Sequence, residues 1–337
     1  MLRIGLIDVD GHNFPNLALM KVSAYHKAQG DRVEWCNPLE IIPYDMVYQS
    51  KVFDETYSTD IDWTPCAKLI VKGGTGYVRR HKDKITYKTW LEYYVDGKWI
   101  HEDKYHGTDK YAEFLPDEVE HTYPDYELYP KLTKDTAYGH LTRGCPRNCS
   151  FCCVSCKEGQ RAVKVADLSE FWRGQKNIVL LDANLLACAR DHMDLLRQLR
   201  ESGSYIDFNQ GLDIRLLHNG AIDIINDIKL RNIHFAWDNP RDCLEYDFRK
   251  YAQRAKHKPH GSYGTVYVLV NYNSALSEDL YRIYTLRDLG YLPYVMVYDK
   301  PNSPKIMRDL QRWCNKREIF KSCPNFGEYN KNKGVQT

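Results

Sequence analysis

Five of the eleven cysteines fall between residues 145 and 156. Three of them, Cys145, Cys149 and Cys152, are spaced C-x3-C-x2-C in the segment LTRGCPRNCSFC that runs from Leu141 to Cys152. A compact loop of this spacing can wrap three thiolates around one face of a cube-shaped iron–sulfur cluster. Three protein ligands leave one iron open, and an open iron can take an exogenous chelating ligand. Such a site does chemistry on a bound molecule and is more than an electron carrier. Cys153 and Cys156 add another C-x2-C, so the same segment could instead supply four thiolates to a structural zinc ion. Cys243, Cys314 and Cys323 stand apart and read as small buried hydrophobes. A disulfide scaffold would be shorter and would spread its cysteines more evenly, so the cluster points to metal or redox chemistry.

The elements around this loop have the rhythm of a βα series. Candidate strands are Tyr138 to Leu141, Ile178 to Leu181, Tyr205 to Phe208, Ile233 to Ala236, Thr265 to Val270 and Tyr294 to Tyr298. Helical spacing lies between them, as in His192 to Ser202 and Ser277 to Leu289. Six βα units suit an open, partial barrel better than a closed eight-fold one. Ligands of parallel barrels sit at the carboxyl ends of the strands. Those ends read Asp182 and Asn184, then Asn209, Gln210, Asp213 and Arg215, then Trp237, Asp238 and Asn239, then Asn271 and Asn273, and lastly Tyr298 and Asp299.

A second βαβ rhythm precedes the cysteines. Arg3 to Ile7 is a short apolar strand, and Pro15 to Ala28 has helical spacing, with Pro15 in the first turn and Gly30 at the C-cap. Val33 to Cys36, Met46 to Tyr48 and Leu69 to Lys72 continue the pattern as strands, which predicts a small, doubly wound parallel sheet. Residues 78–128 break the rhythm. Tyr93 to Ile100 reads as a hairpin turning at Asp96 and Gly97. Its basic and aromatic residues interleave: Arg79, Arg80, His81, Lys82, Lys84, Tyr87, Trp90, Tyr93, Lys98 and Trp99. Such a surface can track phosphates and stack bases, but a solvated hairpin packed over an active site is the plainer reading. The fold class is therefore α/β, a partial (β/α)6 barrel of the TIM type preceded by a small doubly wound domain. Its expected parts are 1–77, an inserted hairpin and linker at 78–135, the barrel at 136–300, and a C-terminal helix and tail at 301–337.

Composition narrows the classes of function. The 337 residues are 43% hydrophobic, enough for a sizeable core, and the formal net charge of +2 argues against a strongly nucleic-acid-binding or membrane-surface protein. No apolar run approaches the roughly 20 residues that span a bilayer. Asp8 and Asp10 interrupt the first apolar stretch too early for a signal peptide. A soluble cytoplasmic protein is the expectation.

At the cysteine loop the chain resembles the radical S-adenosylmethionine (SAM) superfamily, whose hallmark is C-x3-C-x-aromatic-C after the first strand of a partial (β/α)6 barrel. Phe151 fills the aromatic position. The resemblance covers roughly residues 136–300. It implies a 4Fe–4S cluster on Cys145, Cys149 and Cys152, with SAM chelating the open iron through its amino and carboxylate groups. An electron from a donor such as flavodoxin or ferredoxin then cleaves SAM to methionine and a 5'-deoxyadenosyl radical. Asp182 and Asn184 occupy the place that contacts the methionine amino group. Arg215 suits the carboxylate and Asn271 the ribose, and Phe151, Gln210 and Asp213 complete the candidate SAM-binding residues. The chain lacks the superfamily's common Gly-Gly-Glu after strand two and its Gly-rich turn after strand five.

The N-terminal half resembles the cobalamin-binding domains that precede some of these barrels. Their landmarks are D-x-H-x-x-G, S-x-L and Gly-Gly. Here Asp10, His12 and Pro15, then Ser50 and Val52, then Gly73 and Gly74 stand in that order. The resemblance implies cobalamin on His12, with Asp10 orienting its imidazole and the glycine pair beside the nucleotide tail. Three readings stand: a radical SAM enzyme acting on an unidentified substrate, a cobalamin-dependent radical SAM methyltransferase, and a zinc-stabilised RNA-binding module. The methylthiotransferases that modify tRNA carry a second cysteine triplet in their N-terminal domain. Cys36 and Cys66 cannot supply one.

Overall fold

In a computed structural model the residues described are all except 12, 38, 40–41, 54–56, 61–65, 81–86, 96–97, 105–114 and 330–337. The chain divides into two compact units, Met1–Ile178 and Val179–Thr337.

The first unit opens with β1 (Arg3–Asp8), α1 (Leu17–Ala28), β2 (Arg32–Trp35), β3 (Met46–Ser50) and β4 (Ile70–Gly73). These four strands are parallel and lie in the order β2-β1-β3-β4, the order of doubly wound sheets. β1 is flanked on both sides and reads as a continuous apolar run. Ile4 and Leu6 are fully buried in it and pack with Leu19 and Val22 of α1. α1 begins two residues later than the proline suggests, because the Asn16 side chain accepts from the Leu19 N–H and so becomes the N-cap. The expected hairpin is present as β6 (Tyr87–Val95) and β7 (Lys98–Lys104), after the short β5 (Val78–Arg80). It is not separate from the parallel strands: β6 pairs antiparallel to β4 at Val71 and Tyr93, which extends the sheet to seven strands. The hairpin turn at 96–97 lies outside the described residues, as do His81, Lys82 and Lys84.

Short helices α2 (Asp117–Glu120) and α3 (Pro130–Thr133) lead to β8 (Thr136–Gly139), and β9 (Thr142–Arg143), α4 (Val154–Lys157) and β10 (Val163–Lys164) frame the cysteines. β8 ends two residues earlier than the apolar pattern of Tyr138 to Leu141 implies. Residues 142–143 turn away to pair antiparallel with 163–164 and close the cysteine segment at its base.

The second sheet has six strands in the order β15-β14-β13-β12-β11-β8. After β11 (Asn177–Leu180) come α5 (His192–Ser202), β12 (Tyr205–Phe208), α6 (Asn219–Asp227), β13 (Lys229–Ala236), α7 (Glu245–Arg254), β14 (Thr265–Val270), α8 (Leu276–Asp288), β15 (Leu292–Val297), α9 (Lys305–Asn315) and α10 (Arg317–Ser322). β12 to β15 are parallel, and the strand order is a path with two ends, so the fold is an open partial barrel. Side chains alternate along each strand. Ile206, Phe208, Ile233, Phe235, Val266, Val268 and Val295 are at most 2% exposed on the helix-covered face, where Phe235 meets Phe248 and Tyr251 of α7. The opposite, concave face carries Asp207, Asn232, His234, Tyr267, Tyr294 and Met296. Among the described residues no helix is long and apolar enough to cross a membrane.

Candidate functional site

The cysteine loop is shaped by backbone requirements that only certain residues meet. Gly144 has φ +89°, and a Cβ there would lie 2.1 Å from the Arg161 carbonyl oxygen, so glycine is needed immediately before Cys145. Asn148 takes the left-handed conformation at φ 46°, which asparagine tolerates, and its side chain accepts from Ser155 Oγ at 3.0 Å. Cys145 N–H donates to Gly159 O at 3.1 Å and Cys152 N–H to Cys149 O at 2.9 Å. These bonds fold 145–159 into a closed excursion with all three cysteines half-buried and Phe151 half-buried between the last two.

The Cys152 thiol is pushed up to about 11, chiefly by burial and further by Cys153, Cys149 and Cys145, while a hydrogen bond from the Val154 N–H pulls the other way. A thiol resisted by burial and by its neighbours' charge ionises only where a cation offsets both. Iron would be such a cation, and thiolates are the donors an iron–sulfur cluster takes. Among the described residues no group of three or more His, Cys, Asp or Glu is disposed to hold a metal ion. The fit rests on donor chemistry and on the loop's path.

A buried charge network anchors the loop. Arg143 pairs with Glu120 at 2.9 Å and with Glu158 at 3.4 Å, and Lys21 of α1 pairs with Glu120 at 3.1 Å. Burial opposes ionisation of Glu120, but Arg143 and Lys21 outweigh it and hold the carboxyl below its usual range. Lys157 at the end of α4 donates to Thr75 Oγ1 at 2.5 Å. The cysteine excursion is thereby tied to the first sheet's helix and strand ends.

The strand ends of the second unit form their own polar rim. Asp182 and Asn184 are each 4% exposed. Asn184 Nδ2 lies 3.5 Å from Asp213 Oδ2, and Asp213 receives Arg215 Nε at 2.7 Å. Arg215 also donates to Asp242 at 2.8 Å. Asn184, Asp213 and Arg215, singled out separately, are thus one cluster. Asn271, at φ 63°, donates to Tyr298 O at 3.1 Å and bridges the ends of β14 and β15. Gln210 is exposed. Asp238, two residues beyond β13, belongs to the same rim. Its Oδ1 accepts from the Leu269 N–H at 3.1 Å, and burial raises its carboxyl to about 6. Behind it the fully buried Arg282 donates to the carbonyls of Trp237, Asp238 and Leu269 and pairs with Asp279 at 2.5 Å. An arginine in helical spacing gives no local sign of this role.

The N-terminal strand ends depart from the expected pattern. His12 lies outside the described residues. Asp10, expected to orient its imidazole, accepts instead from Val52 N at 2.5 Å, Phe53 N at 3.2 Å and Ser58 Oγ at 2.5 Å. These three donors tie the Asp10 carboxylate to the loop after β3. Gly74, at φ +102°, would place a Cβ 2.3 Å from the Lys51 carbonyl oxygen, whereas a Cβ at Gly73 would meet nothing within 4 Å. Lys51, 2% exposed in its side chain, pairs with Asp60 at 2.8 Å.

No protein-family model matches the chain, and no curated protein matches it. Among solved structures it is similar in fold to TsrM from Kitasatospora setae, a radical S-adenosylmethionine methyltransferase solved with cobalamin and a [4Fe–4S] cluster bound. The TM-score is 0.62 at 12% identity, over 88% of this chain and 75% of that one. At that identity the likeness concerns the fold, an α/β partial barrel preceded by a parallel-sheet domain.

Proposed function

We propose that this chain is a radical SAM enzyme that holds a 4Fe–4S cluster on Cys145, Cys149 and Cys152. The observation that carries the reading is the place of the triplet: a glycine-hinged excursion directly after β8, the strand that begins the six-stranded sheet. When bound, the cluster supplies the electron that cleaves SAM to methionine and a 5'-deoxyadenosyl radical. This chain's own residues hold the thiolates, limit water around them through Phe151, and offer Asp182, Asn184, Asp213 and Arg215 as polar contacts for the amino-acid part of SAM. Asn271 and Gln210 are the contacts proposed for the rest of the molecule.

The test is anaerobic reconstitution with iron and sulfide, followed by reduction in the presence of SAM. A visible absorbance typical of a cubane cluster and release of 5'-deoxyadenosine are expected, and both disappear in Cys149→Ala. Tetrahedral zinc with no chromophore would replace this reading with the zinc-stabilised module.

The cobalamin-dependent methyltransferase is the second reading. The fold likeness that extends through the N-terminal domain favours it. In this reading Asp10, which also holds the loop after β3, is the neighbour of His12. Retained cobalt after reconstitution with cobalamin, together with S-adenosylhomocysteine as a product, separates it from the first.

A further inference from the structure

The concave face of the second sheet holds a polar row that neither the cysteine loop nor the strand-end rim uses. Asp207 of β12 is directly opposite Asn232 of β13, and Asn232 Nδ2 donates to Asp207 Oδ2 at 2.6 Å. His234 is two residues further along β13, so it is the diagonal neighbour of Asp207 on the same face. Asp207 is 8% exposed, and its other oxygen, Oδ1, is buried without a hydrogen-bond partner. The Nδ1 of His234 is likewise buried and unpartnered. Burial of this kind costs about 1–3 kcal/mol per group and persists where function demands it. No lysine or arginine among the described residues pairs with Asp207.

Two further observations bear on the same place. Burial holds the His234 imidazole below its ordinary range, while the charge of Asp207 works in the opposite direction. Burial raises the Tyr267 phenol, and Tyr294 and Asp207 add to the effect. The His234 and Tyr267 rings are 5.6 Å apart, and Tyr267 meets Tyr294 at 5.7 Å. Tyr294 is 44% exposed and Met296 47%, so the row leads from a buried carboxylate to an open aromatic shelf.

We propose that Asp207 and His234 close into a carboxylate–imidazole pair that makes His234 Nε2 a proton acceptor on the concave face, with Asp207 as its positioning residue. In that pair Nδ1–H donates to Asp207 Oδ1, which would satisfy both buried atoms. That bond fixes the tautomer and leaves the Nε2 lone pair for a ligand. The step is a proton transfer. Nε2 takes the proton from a substrate O–H or N–H, and the electrons of the broken bond stay on the oxygen or nitrogen. The imidazolium is stabilised by Asp207, and return of the proton restores the start. The substrate class is a small molecule with an ionisable O–H or N–H beside a flat apolar portion that lies on Tyr267 and Tyr294. The inference rests on reading this sheet as the barrel of a radical SAM enzyme, but its test uses neither cluster nor SAM.

The experiment is nitrogen NMR of the histidine side chains in the full chain, with His234→Gln to assign the resonance. The wild type is expected to show His234 as the Nδ1–H tautomer with a bare Nε2 near neutral pH. Asp207→Asn is expected to lose that tautomer preference and to lower the His234 titration midpoint, since it removes the charge that favours the imidazolium. An Nε2–H tautomer in the wild type overturns the pair, even if Asp207→Asn does not fold. A midpoint unchanged in a folded Asp207→Asn overturns it as well. Failure of SAM cleavage with an intact Asp207–His234 signature would instead strike the proposed function alone.

Discussion

The two sheets handle carboxylates near their strand ends in opposite ways. In the first, Asp10 accepts three hydrogen bonds and Asp60 pairs with Lys51 and Lys72. In the second, Asp207 takes one neutral amide donor and keeps an unpartnered oxygen, and Asp238 keeps a carboxyl that burial raises to about 6. A carboxylate that several donors or cations hold does architecture: it fixes a loop. An under-satisfied one stores free energy that a ligand, proton or partner can release. The carboxylates left with such capacity lie on the concave face and rim of the second unit.

The largest effect that would sharpen this contrast concerns the loop before the second sheet. Replacing Cys145, Cys149 or Cys152 with alanine is expected to bring SAM cleavage to background, while Cys153→Ala keeps the chromophore. Loss of the chromophore in Cys153→Ala would return the four-thiolate zinc site to consideration. Next in size is Arg282→Leu. Removing one partner of a fully buried pair leaves Asp279 uncompensated, at a cost of about 3–5 kcal/mol. Urea unfolding measures the loss, and hydrogen exchange should place it in α8 and β14. Uniform exchange across both units would break the claim that the two carry separate architectures.

Asp10→Ala strands two backbone N–H groups and a hydroxyl, so a loss of about 2–3 kcal/mol is expected in the first unit. If the variant is as stable as the wild type, this carboxylate is not architectural. The smallest effect is a pH dependence. Asp238 binds its proton more tightly folded than unfolded, so its contribution is full below the ordinary aspartate range and is lost as pH rises through about 6. Asp238→Asn should therefore gain about 1–2 kcal/mol relative to wild type at pH 7.5 and little at pH 4.5. Equal differences at both pH values would show that the carboxyl is not under-satisfied.

Much of the scaffold was legible along the chain. β12 and β14 lie on the residues that the apolar runs mark, and α5 spans the predicted His192–Ser202. These are local patterns: a two-residue alternation, a helical stripe, a glycine beyond the last turn. Boundaries failed where a distant partner decided them. β8 stops early because 142–143 pair with 163–164, and Asn16, not Pro15, caps α1. The hairpin expected over Tyr93–Ile100 is longer, at 87–104, and its union with β4 was not legible, since pairing of Val71 with Tyr93 depends on sheet register.

The site divides in the same way. The sequence by itself determined the thiolate spacing, the glycine and asparagine that let the cysteine loop turn, and the polar strand ends, because each depends on residues within a few positions of one another. Only the tertiary structure decided what those groups meet. Asp10 reaches across 42 positions to Val52, Asp207 across 25 to Asn232, and Arg282 across 45 to the Trp237 carbonyl. Whether a carboxylate is held by several donors or left wanting is set by register and by helix placement, which composition and periodicity do not encode. That is why the loop contacts of Asp10 and the unpartnered atoms of Asp207 and His234, in a plain strand pattern, emerge only in the fold.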